Sequence, residues 1–346
     1  MPAHGNVIAL ETQNGAIFLV ERLERALFGA RSDVVSQEFD GLEKQVLDTF
    51  GITNPWDEDP VLAADSPCLD MRGAALSEDK LEEAANLVVE SYGTPTDVFL
   101  APRANSDLAK AFYPRERVNL PYPTEGKVGV AINSFVSNAG LIALNPDVFL
   151  RSGRNNGVKT VPGSATSSRA PATPSALTAS AAGSSKSKFI AADEGDYLYA
   201  VTAINRFGES APKNLAGAVT VAAADKVTLT ITDGGGSDAA TAYKIYRSSK
   251  GGLITTAILM VPGYPRDTVT PADTVFVDYN FYLPGTSKAY MVQNNLQFHS
   301  FRQLAPMLKL PLATIAASIR WMQLLYGVPI VYSGKKSRIF LNVKDD

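Results

Sequence analysis

Ser77-Glu-Asp-Lys80 has the S-x-x-K spacing that sets a lysine one helical turn beyond a serine hydroxyl, as in serine acyltransferases. Ser185 to Lys188 repeats the spacing, but neither S-D-N nor K-T-G occurs. Ser77 stands just before a helical apolar pattern, so helix capping accounts for it without catalysis. Asp57, Glu58 and Asp59 could offer oxygens to a hard cation. Pro60 breaks any calcium-loop spacing, however, and an exposed acidic loop is the simpler reading. Cys68 could act as a nucleophile beside His299, yet no family context surrounds either. A packed small hydrophobe and a satisfied polar group explain them equally well. Lys335-Lys-Ser-Arg338 could meet phosphate or form a solvated turn, and Tyr197, Tyr199, Tyr243 and Tyr246 could line a carbohydrate surface or fill a sandwich. Neither G-x-x-x-x-G-K-[ST] nor G-x-S-x-G occurs, and 35 acids supply chance pairs for glycoside hydrolysis. One cysteine with His4 and His299 cannot build a Cys/His zinc site or a disulfide framework. The sequence assigns no catalytic residue, no cofactor-binding residue and no metal ligand.

The spacing of apolar residues predicts the elements that would hold these groups. Ile17 to Phe28 and Asp33 to Phe50 read as two helices stopped by Gly29 and Gly51, with Asp33 an N-cap. From 52 to 75 periodicity is lost among Pro55, Pro60 and Pro67. That predicts a long extended segment, either functional or packed on a neighbour. Ser77 to Tyr92 is the clearest helix, with Leu81, Ala84, Ala85, Val88, Val89 and Tyr92 along one face and Gly93 as its stop. A short helix is expected at Asn105 to Phe112, and strands at Asp97 to Leu100, Lys127 to Ile132 and Leu141 to Leu144. All but five of the 29 residues from Thr160 to Lys188 are Gly, Ala, Ser, Thr or Pro, a linker composition. Beyond it Val227, Leu229 and Ile231 alternate with threonines, and further strands read at Tyr197 to Ile204, Tyr243 to Arg247 and Thr274 to Tyr279. An apolar helix from Leu312 to Tyr326 and strands at Ile330 to Tyr332 and Arg338 to Val343 complete the pattern. An all-β block between mixed segments predicts an α+β domain carrying an insertion.

The formal charge of −3 conceals an asymmetry. Residues 1–100 hold 19 acids and 6 bases, whereas 101–346 hold 16 acids and 26 bases. Such a split suits complementary surfaces, within one fold or between copies, and the basic part is too sparse for a nucleic-acid module. No basic segment precedes an N-terminal apolar run, and Ile319 to Tyr332 is too short to span a bilayer. A soluble protein made in a reducing cytoplasm is expected.

Tyr199-Ala-Val-Thr-Ala-Ile-Asn-Arg-Phe-Gly-Glu-Ser210 resembles the penultimate strand and turn of fibronectin type III and related immunoglobulin-like modules. Tyr243-Lys-Ile-Tyr-Arg247 with Gly251-Gly252 is similar to their central strand, so the late signature precedes the early one as in a circular permutation. The flanks resemble tailed-bacteriophage major capsid proteins of the Hong Kong 97-like fold. The stretches concerned are Gly73 to Lys80, Tyr92 to Pro102, Asn145-Pro-Asp-Val-Phe-Leu150, Phe276 to Ser287, Leu325 to Tyr332 and Ile339-Phe-Leu-Asn-Val343. This resemblance implies an N-terminal arm at 1–30, an extended loop region at 31–75, and a capsid core at 76–153 and 287–346. That core would comprise peripheral and axial domains, with a spine helix from Ser77. A flexible linker at 154–189 and an inserted immunoglobulin-like β-sandwich at 190–286 complete the implied organisation. It further implies a structural, non-enzymatic role. Copies would form hexamers and pentamers of an icosahedral shell around double-stranded DNA, contacted without sequence preference. Portal, scaffolding or decoration proteins are the other implied partners, with no cofactor, no metal and no membrane. The protein would be synthesised in the host bacterial cytoplasm and reside in the virion. The residues leave two other classes open: a phage tail or decoration component with an adhesive module, and a carboxylate-dependent hydrolase with an appended binding module.

Overall fold

The computed structural model of the chain describes residues 7–35, 38–61, 65–116, 132–150, 160–269, 273–313 and 320–345. Helices α1 (Val7–Gly29) and α2 (Leu42–Thr49) come first. They are followed by β1 (Cys68–Asp70), α3 (Glu78–Glu90), β2 (Asp97–Leu100), α4 (Pro102–Glu116), β3 (Ser134–Ser137) and β4 (Gly140–Pro146). An all-β stretch comprises β5 (Ala176–Gly183), β6 (Gly195–Tyr197), β7 (Tyr199–Asn205), β8 (Gly208–Glu209), β9 (Lys213–Asn214), β10 (Val219–Val221), β11 (Asp225–Thr232), β12 (Ala242–Arg247), β13 (Ile258–Pro265) and β14 (Asp273–Asp278). The chain ends with β15 (Ser287–Val292), β16 (His299–Pro311), β17 (Trp321–Val331) and β18 (Ser337–Val343). The α+β class expected from the sequence is observed.

The first unit is a six-stranded sheet in the order β1-β18-β15-β2-β4-β3. Every residue of β18, which lies between β1 and β15, is buried. The helix expected from Ser77 is α3. Ser77 caps it by accepting from the Lys80 amide, and Leu81, Ala84, Ala85 and Val88 are completely buried against the sheet. Val89 and Tyr92, expected on the same face, are exposed instead, because Val89 falls at the edge of the buried stripe and the helix ends at Glu90, before Tyr92 turns left-handed. Arg338 corrects the sequence reading of a solvated basic turn, because it is fully buried. Its guanidinium donates to the carbonyls of Leu87, Ser337 and Lys335, to Ser91 Oγ and to Asp65 Oδ1. The end of α3 leaves carbonyls without helical partners, and this side chain satisfies one of them while tying α3 to β18.

The second unit is a β-sandwich. The sheet β14-β11-β5 faces the sheet β13-β12-β7-β8, with β9 also paired to β7. Val227, Leu229 and Ile231 of β11 are fully buried, as the alternation with threonine predicts, and they share a core with Tyr199, Tyr243 and Ile245. Tyr264 and Phe276 join the two sheets edge to face at 5.1 Å. Residues 160–188 are not the flexible linker that their composition suggested. β5 lies in an eight-residue antiparallel register with β11, anchored by buried Leu177, and Thr160 forms a bridge with Ile258. Small side chains suit a strand whose partner supplies the packing.

The N-terminal region also differs from expectation. α1 is a single helix of 23 residues, and α2 begins only at Leu42, while Asp33 pairs with Arg31 instead of capping a helix. The segment expected to lie extended without a core is packed inside the chain. Val46, Leu47, Ile52, Trp56 and Cys68 are buried, and Trp56 sits 4.5 Å from Tyr282. The helix expected at Leu312 to Tyr326 is absent among the described residues, because Trp321–Val331 is strand β17. It pairs antiparallel with β16 from His299↔Val331 to Pro311↔Trp321, so long-range pairing overrides local helical preference. A Cβ at Gly327 would lie 2.3 Å from the Phe301 ring, so a larger residue there must displace that side chain. Residues 127–131 of the strand expected at Lys127 to Ile132 lie outside the described residues.

Candidate assembly surface

The side chains singled out for chemistry are not brought together. Lys80 Nζ pairs with Glu83 at 2.6 Å, while Ser77 is a helix cap, and Lys188 Nζ reaches Asp59 at 2.7 Å. Asp57 accepts from Asn54 and Tyr264, and Glu58 accepts from the Thr53 amide, so the acidic run divides among separate local partners. Cys68 is 1% exposed, and burial pushes its thiol well above the ordinary value. His299 lies 3.2 Å from Ser337 Oγ, and burial pulls its pKa down. Tyr197, Tyr199, Tyr243 and Tyr246 are all buried, so they fill the sandwich and line no carbohydrate surface. Among the described residues no group of three or more His, Cys, Asp or Glu converges as a metal site.

The charged groups that do converge hold the body together. Lys288 Nζ donates to both oxygens of Glu43 at 2.6 and 2.8 Å, and Tyr290 adds a third bond at 3.0 Å. Burial is the largest influence and raises the Glu43 carboxyl, but Lys288, Arg31 and Tyr290 together reverse it and leave the group below the usual range. In the sandwich Glu209 is buried and accepts from Thr202, Tyr246 and Lys244. Burial works against its charge, and these donors reverse the effect to leave its pKa lowered.

The surface that remains unsatisfied is apolar. β16 and β17 form a two-stranded sheet of their own, and no residue of either strand is buried. Leu304 is 86% exposed, and Met307, Leu308, Leu310, Met322, Tyr326 and Val328 are all at least 40% exposed. α1 lies against this hairpin. Gln323 Nε2 donates to the Thr12 carbonyl, Lys309 Nζ donates to Thr12 Oγ1, and Gly15 leaves room for Gln323. α1 still exposes Val7, Leu10, Ile17, Phe18 and Val20 by more than 50% each. The root of the hairpin is fixed by Gln45, whose side chain donates to the Pro329 carbonyl and accepts from the Val331 amide. A hairpin alone is marginal in water, and a helix with apolar residues on several faces belongs in an interior. Sequence reasoning missed this surface because it read 312–326 as a helix. The available signal was the acid-free run from Tyr279 to Lys344.

Among the described residues the polar clusters are internal ties and no three His, Cys, Asp or Glu converge as a metal site, while the α1–hairpin unit leaves a large apolar surface exposed, the kind that marks a protein–protein contact. No family profile matches the chain. Relatives do, over nearly its whole length. It is 27% identical to the major capsid protein of Staphylococcus phage K and 27% identical to that of Staphylococcus phage S25-3. Each alignment covers 96% of this chain and 69% of the relative. The encapsulin chain of the holo-SrpI encapsulin complex from Synechococcus elongatus PCC 7942 gives a TM-score of 0.33 at 11% identity. That alignment covers 98% of this chain and 66% of the encapsulin chain. Along nearly its whole length the chain is thus similar to major capsid proteins of phages.

Proposed function

We propose that this chain is the repeating structural subunit of a phage head. Its copies close as hexamers and pentamers into an icosahedral shell around double-stranded DNA, and it does no catalysis. The observation that carries this reading is the α1–hairpin unit, whose apolar faces one chain cannot cover. Each leucine-sized side chain buried between copies contributes about 1.5–3 kcal/mol gross, so six to eight of them supply on the order of 10–20 kcal/mol. Association and ordering costs reduce that sum to the modest contacts that reversible shell assembly needs.

In this reading the peripheral part of the subunit is α1 with β16 and β17, and the axial part is the six-stranded body. The spine role that the resemblance implied for the helix from Ser77 falls instead to α1, whose 23 residues span roughly 34 Å. α3 has 13 residues and belongs to the body. The sandwich is an immunoglobulin-like insertion with the strand order of a permuted module. The Tyr199 strand lies beside the Tyr243 strand, and the pair formed by β11 and β14 follows later in the chain than β7. Portal, scaffolding and decoration proteins are further partners on this reading, and DNA is contacted without sequence preference.

Electron microscopy and sedimentation of the purified full chain test it. Closed shells, or rings of five and six copies, are the expected result. A sharp monomer at concentrations above about 100 μM, where even weak repeated contacts populate assemblies, would overturn it, and tubes would point to a tail component.

A further inference from the structure

The hairpin is one-sided in charge as well as apolar. From Tyr279 to Lys344 the sequence holds eight bases and no acid, and Arg302, Lys309 and Arg320 are the bases on β16, β17 and their connection. Arg320 is exposed. The opposite pattern occurs on α3. Its outward row is Asp79, Glu82, Glu83, Asn86 and Glu90, along a shallow groove of about 400 Å³. Next to that row lie Val89, 46% exposed, and Tyr92, 94% exposed. Tyr92 is held there by a left-handed backbone (φ 57°) that ends the helix. One surface is apolar with cations, and the other is acidic with an apolar end.

We propose that the hairpin of one copy docks on the α3 face of a second copy, with Lys309 and Arg320 against the acidic row and the leucines of β16 against Val89 and Tyr92. The inference rests on the shell reading and names the two surfaces that meet. Nucleic acid is the weaker occupant for the hairpin, because three cations among mostly apolar side chains are too few for a phosphate-binding face. Oppositely charged faces speed encounter and select register between copies, and that contribution is screened by salt.

Charge reversal in the full chain tests the pairing. Lys309→Glu with Arg320→Glu makes the hairpin variant, and Glu82→Lys with Glu83→Lys makes the α3 variant. Folding of each is checked by circular dichroism. Each variant alone should raise the critical concentration for assembly at least tenfold. All four substitutions in one chain, or an equal mixture of the two variants, should bring it back within about threefold of the wild type. Wild-type assembly that both variants reproduce unchanged overturns the docking while leaving the shell reading standing. The same holds for two defects that simply accumulate without rescue, or for assembly that requires added DNA. A wild-type chain that stays monomeric overturns the shell reading and the docking with it.

Discussion

Arg247→Met should be among the most damaging single changes in the sandwich. Arg247 and Asp278 are 4% and 3% exposed, with Nη1 2.7 Å from Asp278 Oδ2. The second guanidinium nitrogen donates to Asn280 Oδ1 at 2.8 Å, and Tyr199 OH donates to the same Asp278 oxygen at 2.9 Å. The Arg247 guanidinium also lies 5.5 Å from the rings of Phe189 and Tyr197. Methionine fills much of the stem's volume but strands a buried carboxylate, a loss of about 3–5 kcal/mol. At a urea slope of about 3 kcal/mol per molar, the unfolding midpoint falls by roughly 1–1.7 M. Lys80→Met is the control, because Lys80 and its partner Glu83 are 40% and 50% exposed, and an exposed pair is worth about 1 kcal/mol or less. Arg247→Met with Asp278→Leu should recover most of the loss, since replacing both ions removes the stranded charge. The measurement is urea unfolding of the unassembled chain by circular dichroism and tryptophan fluorescence, with coincident transitions. A cost for Arg247→Met no larger than that for Lys80→Met, or a double variant worse than the two single losses combined, refutes the reasoning.

Four further outcomes follow from burial. His299 titrates below its ordinary value of 6.5 because burial disfavours the imidazolium. Between that lowered value and 6.5 the unfolded chain binds the extra proton, so stability falls as pH drops through this window and His299→Gln should flatten the fall. Urea midpoints from pH 7 to about 5 read it. The lowered carboxyl of Glu43 acts in a separate window, with stability lost below its ordinary 4.5. Cys68 should resist a chromogenic thiol reagent at pH 8 in the native chain and release one equivalent in urea; free-thiol rates in native conditions would contradict its packing. Val88→Asp, at a completely buried position of α3, should abolish soluble expression. Glu83→Ala, on the exposed face, should shift stability by no more than about 0.5 kcal/mol.

What could be read from the chain alone follows a physical division. The Ser77 cap, the Leu81–Val88 face and the Val227–Ile231 alternation each carry their signal within one element, and all three appear as expected. β5 was illegible because its stabilisation comes from β11: a run of Ala, Ser and Thr reads as a linker until a partner strand is beside it. The segment around Trp56 was illegible for a related reason, since irregular backbone shows no period even when its side chains are buried. Arg338 shows the limit for charge, because a cation in a lysine-rich turn gives no local sign that the end of α3 will take it up.

The hairpin is the most informative of these failures. Leu312 to Tyr326 carries apolar residues too densely for either a half-exposed helix or a half-exposed strand, and so its local pattern could not decide between them. In the folded chain the ambiguity persists in another form, because β16 and β17 expose apolar side chains along both strands. A sequence kept at that density on exposed strands needs a surface to cover it. α1 covers only part and is itself apolar on its outer side, so the missing layer belongs to another copy. The feature that defeats reading by period is thus the one that identifies the assembly surface. The acid-free run around it then limits which face of a neighbour can meet it.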